Sequence, residues 1–219
     1  MKKQVSCFPT RFKAFILFTA VFFLFSSGGC TRIARLVESA DPYHTKAYKA
    51  ACDAWSREAR IHRGLEVKLI VSATFKSEEF RRAFAKEYAK AYKLTPDEEK
   101  RFIEDQLKAA SHSHEFLMAS FVPEKKWDDF DKTESMWKLY LVTDQNDRVI
   151  PVEVRKIKRQ NAVTPHFFPY ITPWKSTYIV RFPYNIPETN QPVIKDSTRG
   201  IKLVITSVLG IAEMDWELK

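Results

Sequence analysis

The sequence has little glycine and little cysteine, with five and three of these residues among 219. No glycine-rich loop that could cradle a phosphate occurs, and no Ser-His-Asp, Cys-His or metal-ligand set has a recognisable local spacing. Catalytic groups can also assemble from distant positions, so these absences exclude only the enzyme classes that a local motif defines. Because aromatic residues make up 14% of the chain and glycine is scarce, the composition indicates an ordered fold and not a disordered stalk.

A hydrophobic run long enough to cross a bilayer is also absent from the sequence. The most apolar stretch covers residues 14–25, and at about 1.5 Å per residue a helix of this length does not span the ~30 Å of hydrocarbon. Cations without any acid precede it within residues 1–13, and small residues follow it at 26–29. A cationic segment, a short apolar segment and a small-residue cleavage region together predict a secretory signal peptide.

Cys30 follows the small residues directly, and this arrangement resembles the signal peptide of bacterial lipoproteins. In that family a diacylglyceryl group is attached to the cysteine sulfur, and cleavage falls just before the cysteine. The resemblance implies that residues 1–29 are removed, that Cys30 carries the lipid, and that the protein is held in the cell envelope, facing the periplasm. Ser27 departs from the family pattern, which prefers an aliphatic residue there, and an ordinary cleaved signal or an uncleaved anchor are the alternatives. Thr31, in place of an aspartate, favours the outer membrane over the inner one.

Lipidation and cleavage change what the composition implies. The formal net charge of +9 falls by four when the signal peptide is removed, so nucleic acid is not an expected partner outside the cytoplasm. More than one acyl chain anchors a protein stably, and the membrane is therefore expected as a partner through Cys30. Cys7 leaves with the signal peptide, so Cys52 has no partner for a disulfide bond and is interpreted as a small buried residue. No cofactor is expected.

The mature chain is long enough for one domain, which we place at 41–219 behind a short polar leader at 30–40. Asp41 followed by proline predicts the N-cap and first position of a helix over residues 42–60. A period of two in the apolar residues over 65–75 then predicts a strand with one buried face.

A helical hairpin is predicted at 77–110. The second helix begins with Thr95 and Glu98 at the spacing of a capping box. The first helix carries an aromatic ladder at i, i+4 spacing that the rest of the domain has to cover: Phe80, Phe84, Tyr88 and Tyr92. A set of cations occupies the opposite face: Arg81, Arg82, Lys86, Lys90 and Lys93. This basic face is interpreted as solvated, with contact to anionic headgroups or an acidic envelope polymer as the alternative.

The rest of the chain has the pattern of strands. Further strands are predicted at 114–122, 136–143, 148–157, 177–182, 201–208 and 212–218. With the strand at 65–75 they indicate an α+β fold: a seven-stranded antiparallel β-sandwich of immunoglobulin-like layout. In this prediction an N-terminal helix precedes the first strand, and the helical hairpin is inserted between the first two strands. An antiparallel sheet with helices on one face is the alternative.

The sequence contains two groups of potential metal ligands. His112 and His114 stand two apart at a strand start and could share a face, but no third ligand follows at a suitable spacing, so both are interpreted as surface histidines. An acidic loop comprises Asp128, Asp129, Asp131 and Glu134. It lacks the glycine of a calcium-binding loop, so these acids are interpreted as solvated or as helix caps, and no metal site is predicted.

Two loops rich in proline and aromatic residues, at 159–176 and 183–200, are the strongest candidates for a binding surface. Prolines reduce the entropy lost when a loop is ordered, and aromatic rings provide contact area with few rotamers. The candidate contact residues are Phe167, Phe168, Tyr170, Trp174 and Tyr184. The alternative is that these loops close the open end of the core.

The sequence therefore favours a membrane-anchored envelope lipoprotein that acts as a binding or assembly module, with an envelope protein or polymer as its partner, over an enzyme. An envelope hydrolase is one alternative, with the acids at 128–134 or the histidines as its catalytic groups. A structural spacer is the other. A deep pocket lined by convergent acids and histidines would favour the hydrolase, and a flat apolar patch at 165–187 would favour the binding module.

Overall fold

The computed structural model describes residues 44–159 and 161–218, so the predicted signal peptide, Cys30 and the leader lie outside the described residues. The described helices are α1 (Lys46–Trp55), α2 (Glu78–Tyr92), α3 (Pro96–Ala110) and α4 (Val163–Phe167), with a 3₁₀ turn at Lys125–Trp127. The described strands are β1 (Ser56–Arg63), β2 (Glu66–Phe75), β3 (Ser113–Phe121), β4 (Lys138–Thr143), β5 (Arg148–Val149), β6 (Glu153–Lys156), β7 (Ser176–Pro183), β8 (Gly200–Ser207) and β9 (Gly210–Glu217).

The strands form two antiparallel sheets, and the prediction of an α+β antiparallel fold is confirmed. The five-stranded sheet has the order β1-β2-β3-β7-β6, and the four-stranded sheet has the order β5-β4-β8-β9. Side chains from both sheets meet in one core, where the rings of Phe116 on β3 and Trp216 on β9 have centroids 5.3 Å apart. As predicted, β3 is a central strand, and it is buried on both faces.

The first helix is shorter than predicted, and an additional strand follows it. Helix α1 ends at Trp55, and Ser56–Arg63 pairs with β2 as an antiparallel hairpin. Gly64 at the hairpin turn has a φ of +62°, a conformation that glycine adopts without strain. The helical spacing of the sequence continues to residue 60, but pairing with the edge of β2 satisfies the backbone here. The helical hairpin consequently lies between β2 and β3, the second and third strands.

The predicted strand at 148–157 is also divided, so the described residues form nine strands in place of the predicted seven. Arg148–Val149 pairs with β4 in one sheet, and Glu153–Lys156 pairs with β7 in the other. Pro151 lies between them and has no N–H to donate to a ladder. The chain therefore passes from one sheet to the other at this proline.

The helical hairpin agrees with its prediction. Thr95 N donates to Glu98 Oε2 at 2.8 Å and Thr95 Oγ1 accepts from Glu98 N at 3.4 Å, which is the predicted capping box. Along the aromatic ladder Phe80 is fully buried, whereas Tyr92 at the far end of the helix is 47% exposed. The ladder is thus covered for most of its length and emerges into solvent at its last residue.

Replacing Gly210 with alanine is expected to destabilise the fold by about 1–3 kcal/mol, because the new methyl group overpacks a filled site. Gly210 has a φ of +143°, and a Cβ there would lie 2.7 Å from Cγ2 of Ile61, which is buried. Urea unfolding would measure the loss. Gly64→Ala is the comparison, since its φ of +62° lies in the left-handed region that other residues also adopt and no atom lies within 4 Å of the added carbon, so it lacks both the clash and the stronger backbone strain of Gly210→Ala. Equal losses in the two variants would contradict the packing explanation.

Candidate functional site

Three of the five predicted contact residues are packed inside the protein. Phe167 and Phe168 are 1% and 5% exposed, and the Phe167 ring lies 5.2 Å from that of Phe84 on the aromatic ladder. The Tyr170 hydroxyl donates to the Leu117 carbonyl at 2.9 Å. This burial favours the alternative for the 159–176 loop, that it closes the core beneath the helices.

The other two contact residues are exposed but belong to different parts of the protein. Trp174 is 77% exposed, and the neighbouring Lys175 anchors its loop to Ser72 on β2 through a 2.8 Å hydrogen bond. Tyr184 is 41% exposed and follows the end of β7, where its ring stacks on that of His114 with centroids 5.4 Å apart. Of these two exposed residues, Tyr184 contacts the ionisable side chain of His114.

Tyr184 and His114 belong to the wall of an open cleft with a volume of about 400 Å³. The cleft lies where β2 ends, β3 begins and α2 begins. Its lining is formed by Trp55, Phe75, Lys76, Ser77, Glu78, Glu79, Ala110, Ser113, His114, Tyr184, Ile194 and Leu218. This volume falls in the lower part of the range of small-molecule sites, which spans roughly 300–1,000 Å³.

His114 is a buried, neutral imidazole in this cleft and not the surface histidine that the sequence suggested. It is 8% exposed, and burial lowers its pKa to about 4, while a backbone hydrogen bond with Tyr184 opposes that shift. Nε2 has no hydrogen-bond partner.

Trp55, another residue of the cleft wall, also has a buried nitrogen without a hydrogen-bond partner. This last residue of α1 is 6% exposed, and its ring packs edge-on against Phe75 with centroids 5.8 Å apart. Its carbonyl accepts a 2.8 Å hydrogen bond from Trp216 Nε1, but its own indole N–H has no acceptor. An unsatisfied buried polar group costs about 1–3 kcal/mol, so each of these two nitrogens lowers the stability of the fold.

A buried charge network stands next to the cleft on the opposite face of β3. The carboxylate of Glu115 pairs with Lys76 Nζ and Arg181 Nε, each at 2.8 Å, and Arg81 Nη2 lies 3.7 Å away. Burial alone would raise the pKa of Glu115, but Lys76, Arg81 and Arg181 outweigh it and lower the pKa to about 2. Lys76 also lines the cleft, and its ammonium is thus already paired with an acid.

The predicted basic face of α2 is divided by this network. Arg81 is 3% exposed and belongs to the buried cluster, so its interpretation as a solvated cation is wrong. The other four cations of that face are exposed, as predicted: Arg82, Lys86, Lys90 and Lys93.

Neither group of potential metal ligands forms a cluster. His112 is exposed, precedes β3 and contacts the Lys108 carbonyl through Nδ1 at 2.6 Å, so it does not share a strand face with His114. Asp128 is buried and not solvated: it accepts hydrogen bonds from the Tyr178 and Ser176 hydroxyls. Within residues 44–159 and 161–218, no group of three or more His, Cys, Asp or Glu side chains is placed to hold a metal ion.

Cys52 is half-buried on α1 and has no disulfide partner among the described residues. Burial raises the pKa of its thiol to about 11, although a hydrogen bond with Tyr48 opposes the shift. The thiol is therefore protonated at neutral pH, as expected for a packing residue.

Comparison with protein-family models, curated proteins and solved structures gives no significant match for this chain. None of the helices in the described part of the chain combines the length and the apolar character needed to cross a bilayer. The functional interpretation therefore depends on the residues of the cleft and on the features of the sequence.

Of the cleft residues, the sequence singled out Tyr184 as a contact residue and His114 as a potential ligand, but for unrelated reasons. It did not single out Trp55, Ile194 or Leu218 as site residues. No local signal identifies these three, because they come from α1, the 183–200 loop and the residue after β9, and only the folded chain brings them together.

Proposed function

We propose that this protein is a lipid-anchored binding module of the bacterial cell envelope, and that its ligand occupies the cleft between Trp55 and Tyr184. The observation that carries this proposal is the cleft of about 400 Å³ itself, whose walls include the aromatic rings of Trp55, Phe75 and Tyr184. The resemblance of residues 1–30 to a lipoprotein signal supports a lipid anchor on Cys30. The anchored protein would face the periplasm, and Thr31 favours the outer membrane over the inner one. The sharing of one core by the two sheets supports a sandwich of immunoglobulin-like layout.

The surroundings of His114 and of the acidic loop at 128–134, which a hydrolase would use as catalytic groups, favour binding over hydrolysis. No hydroxyl, thiol or carboxylate within the described residues forms a hydrogen bond with His114, so a nucleophile is not held against it. In the acidic loop, Asp128 is occupied by Ser176 and Tyr178, and Asp129 accepts from the Ser135 hydroxyl at 3.0 Å.

If the protein is anchored by a lipid on Cys30, the substitution Cys30→Ser is expected to abolish lipidation. The wild-type protein is expected to incorporate radiolabelled palmitate and to migrate at its cleaved size, because the acyl chains are attached to the Cys30 sulfur before cleavage. The Cys30→Ser variant is expected to lose the label and the cleavage. Cys52→Ser is the control and should behave as the wild type. A Cys30→Ser chain that is cleaved to the same size and stays in the membrane pellet would contradict the tether.

The cleft predicts site-dependent crosslinking in cells. A photoreactive residue in place of Tyr184 is expected to give a discrete adduct, because this position lies on the rim of the cleft. Ala110→Trp, which fills the cleft, should reduce the adduct at least about tenfold, a change of ~1.4 kcal/mol. Ala109→Trp is the matched control, since Ala109 is exposed on the same helix and does not line the cleft.

The two tryptophan variants must have equal melting temperatures for this comparison. An adduct of equal intensity in both would show that the captured molecule does not occupy the cleft, and would overturn the proposed binding site. Trp174 does not line the cleft. If a photoreactive residue at position 174 gave the same adduct with equal yield, the proposed binding site would also be overturned.

A further inference from the structure

We infer that the turns of the β1–β2 and β8–β9 hairpins lie against the anionic phospholipid surface that holds the lipid on Cys30. This inference rests on the lipid anchor in the proposed function, and it adds a second contact with the same membrane. It follows from the exposed aliphatic side chains on two neighbouring turns, from the cations around them and from the length of the chain before α1.

The two turns are neighbours at one end of the domain. Leu209 in the β8–β9 turn and Glu66 at the start of β2 line one open groove of about 460 Å³. A Cβ on Gly210 would lie 2.7 Å from Cγ2 of Ile61, so the two hairpins touch directly beside their turns. The segments around the groove are termed the hairpin end: 63–68, 122–127 and 207–211.

Aliphatic side chains occupy both turns and are exposed. The turns have two residues each, Gly64 with Leu65 and Val208 with Leu209, whereas such turns favour glycine, asparagine and aspartate. Leu65 is fully exposed, Val208 is 89% exposed, and Ile211 at the start of β9 is 61% exposed. These side chains contribute little to the core. A cluster of exposed apolar residues at one place marks a contact with a membrane or with another protein.

The charges of the hairpin end favour an anionic lipid surface over a second copy of the chain. Each of its two acids is paired with a lysine: Glu66 with Lys68, and Glu124 with Lys126. Arg63 and Lys125 remain in excess, and both are exposed. A symmetric pair of copies that met through this end would bring the excess cations together, whereas lipid phosphates attract them.

The chain before α1 is long enough for the hairpin end and the lipid on Cys30 to share one membrane. Helix α1 and strand β1 are about 15 and 26 Å long, so the end of β1 lies within about 41 Å of the start of α1. A chain with the length of 30–44 spans as much as about 50 Å when extended. Strand β2 leads from the hairpin end to the cleft, so this contact holds the cleft away from the lipid.

The test measures the depth of nitroxide spin labels on the mature lipidated protein, reconstituted into vesicles of phosphatidylethanolamine and phosphatidylglycerol. The labels are attached at Leu65→Cys or Val208→Cys in a Cys52→Ser background. Their accessibility to a water-soluble nickel complex is expected to fall at least about fivefold on vesicles, because the side chains insert ~5–10 Å into the boundary between headgroups and acyl chains. Ile150→Cys is the matched control, since Ile150 is an aliphatic residue that is 66% exposed outside the hairpin end.

A pair of double variants tests the charge complementarity. Arg63→Gln with Lys125→Gln is expected to shift the equilibrium of the hairpin end from lipid towards water about fivefold for each charge removed. Lys86→Gln with Lys90→Gln is the matched control, because both lysines are exposed on α2, and it should leave the label at 65 shielded. An equal response of this label to the two double variants would overturn the inference, since the contact would not depend on the excess cations.

Two further results would overturn it. In the first, the labels at 65 and 208 stay as accessible to nickel as the label at 150, on protein that floats with the vesicles. In the second, they are shielded, but their spectra show spin–spin broadening that disappears on dilution with unlabelled protein, which would assign the hairpin end to a second copy. Protein that does not float with the vesicles would contradict the lipid anchor itself, so failure of the anchor is distinguishable from failure of the contact.

Discussion

Replacing Glu115 with glutamine is expected to lower the free energy of unfolding by about 3–5 kcal/mol, the range for breaking a buried ion pair. Glu115 is 6% exposed and is the acid that Lys76, Arg81 and Arg181 share. The substitution keeps the shape of the side chain but leaves three cations facing each other in a poorly solvated site. Urea unfolding of both proteins at pH 7 would measure the difference.

Glu153→Gln is the matched control for this substitution. Glu153 also pairs with Arg181, but the side chains of both residues are 34% exposed, so water screens the loss of the charge. Its cost is expected to stay below about 1 kcal/mol. If both variants lowered the free energy of unfolding equally, the burial of Glu115 would not explain its contribution to stability.

The contribution of Glu115 should also depend on pH in a defined window. Burial opposes ionisation, but the three cations prevail and lower the pKa of Glu115 from 4.5 to about 2 in the folded protein. Because the folded pKa is depressed, the stabilisation is complete above pH 4.5 and is lost as the pH falls towards 2. The difference in stability between wild type and Glu115→Gln is therefore expected to shrink across this window and to be constant from pH 5 to 7.

Replacing Phe84 with alanine is expected to cost about 3 kcal/mol, at the lower end of the range for buried phenylalanines because its ring is only half-buried. Phe84 joins the helices to the 159–176 loop, with ring centroids 5.2 Å from Phe167, 5.9 Å from Phe168 and 6.5 Å from Tyr48. Thermal and urea unfolding would measure the loss.

Tyr92→Ala is the control for Phe84→Ala, because it removes a ring from the same ladder at a position that is 47% exposed. Its cost should be below about 1 kcal/mol. An unchanged melting temperature for Phe84→Ala would show that the loop, and not the ladder, holds the helices against the sheet.

Elements that are stabilised by their own residues were predictable from the sequence. The capping box at Thr95 and Glu98 begins α3 at the predicted residue. The alternation of apolar and polar residues predicts β2, but the expectation of a single buried face is wrong, because Ser72 and Thr74 on the other face are buried too. The continuous apolar run of β3 indicates its central position. In each case the signal and the stabilising contact lie within a few residues of one another.

Elements that depend on a distant partner were predicted less well. Ser56–Arg63 continues the helical spacing of α1, and nothing within it shows that β2 will offer an edge for pairing. The segment at 148–157 gives one strand pattern, yet Pro151 separates two strands that pair in different sheets. In both segments, backbone pairing with a distant strand decided the structure, and the pattern of the local sequence did not.

The sequence by itself determined the α+β class, the helical hairpin and its cap, and the prediction of a lipidated Cys30, because each depends on the order of neighbouring residues. Only the tertiary structure decided that Phe167 and Phe168 belong to the core and that Trp55 and His114 line one cleft. These residues are far apart along the chain, and whether a polar atom acquires a partner depends on every element that packs around it. The cleft is therefore a property of the fold, and no stretch of the sequence contains it.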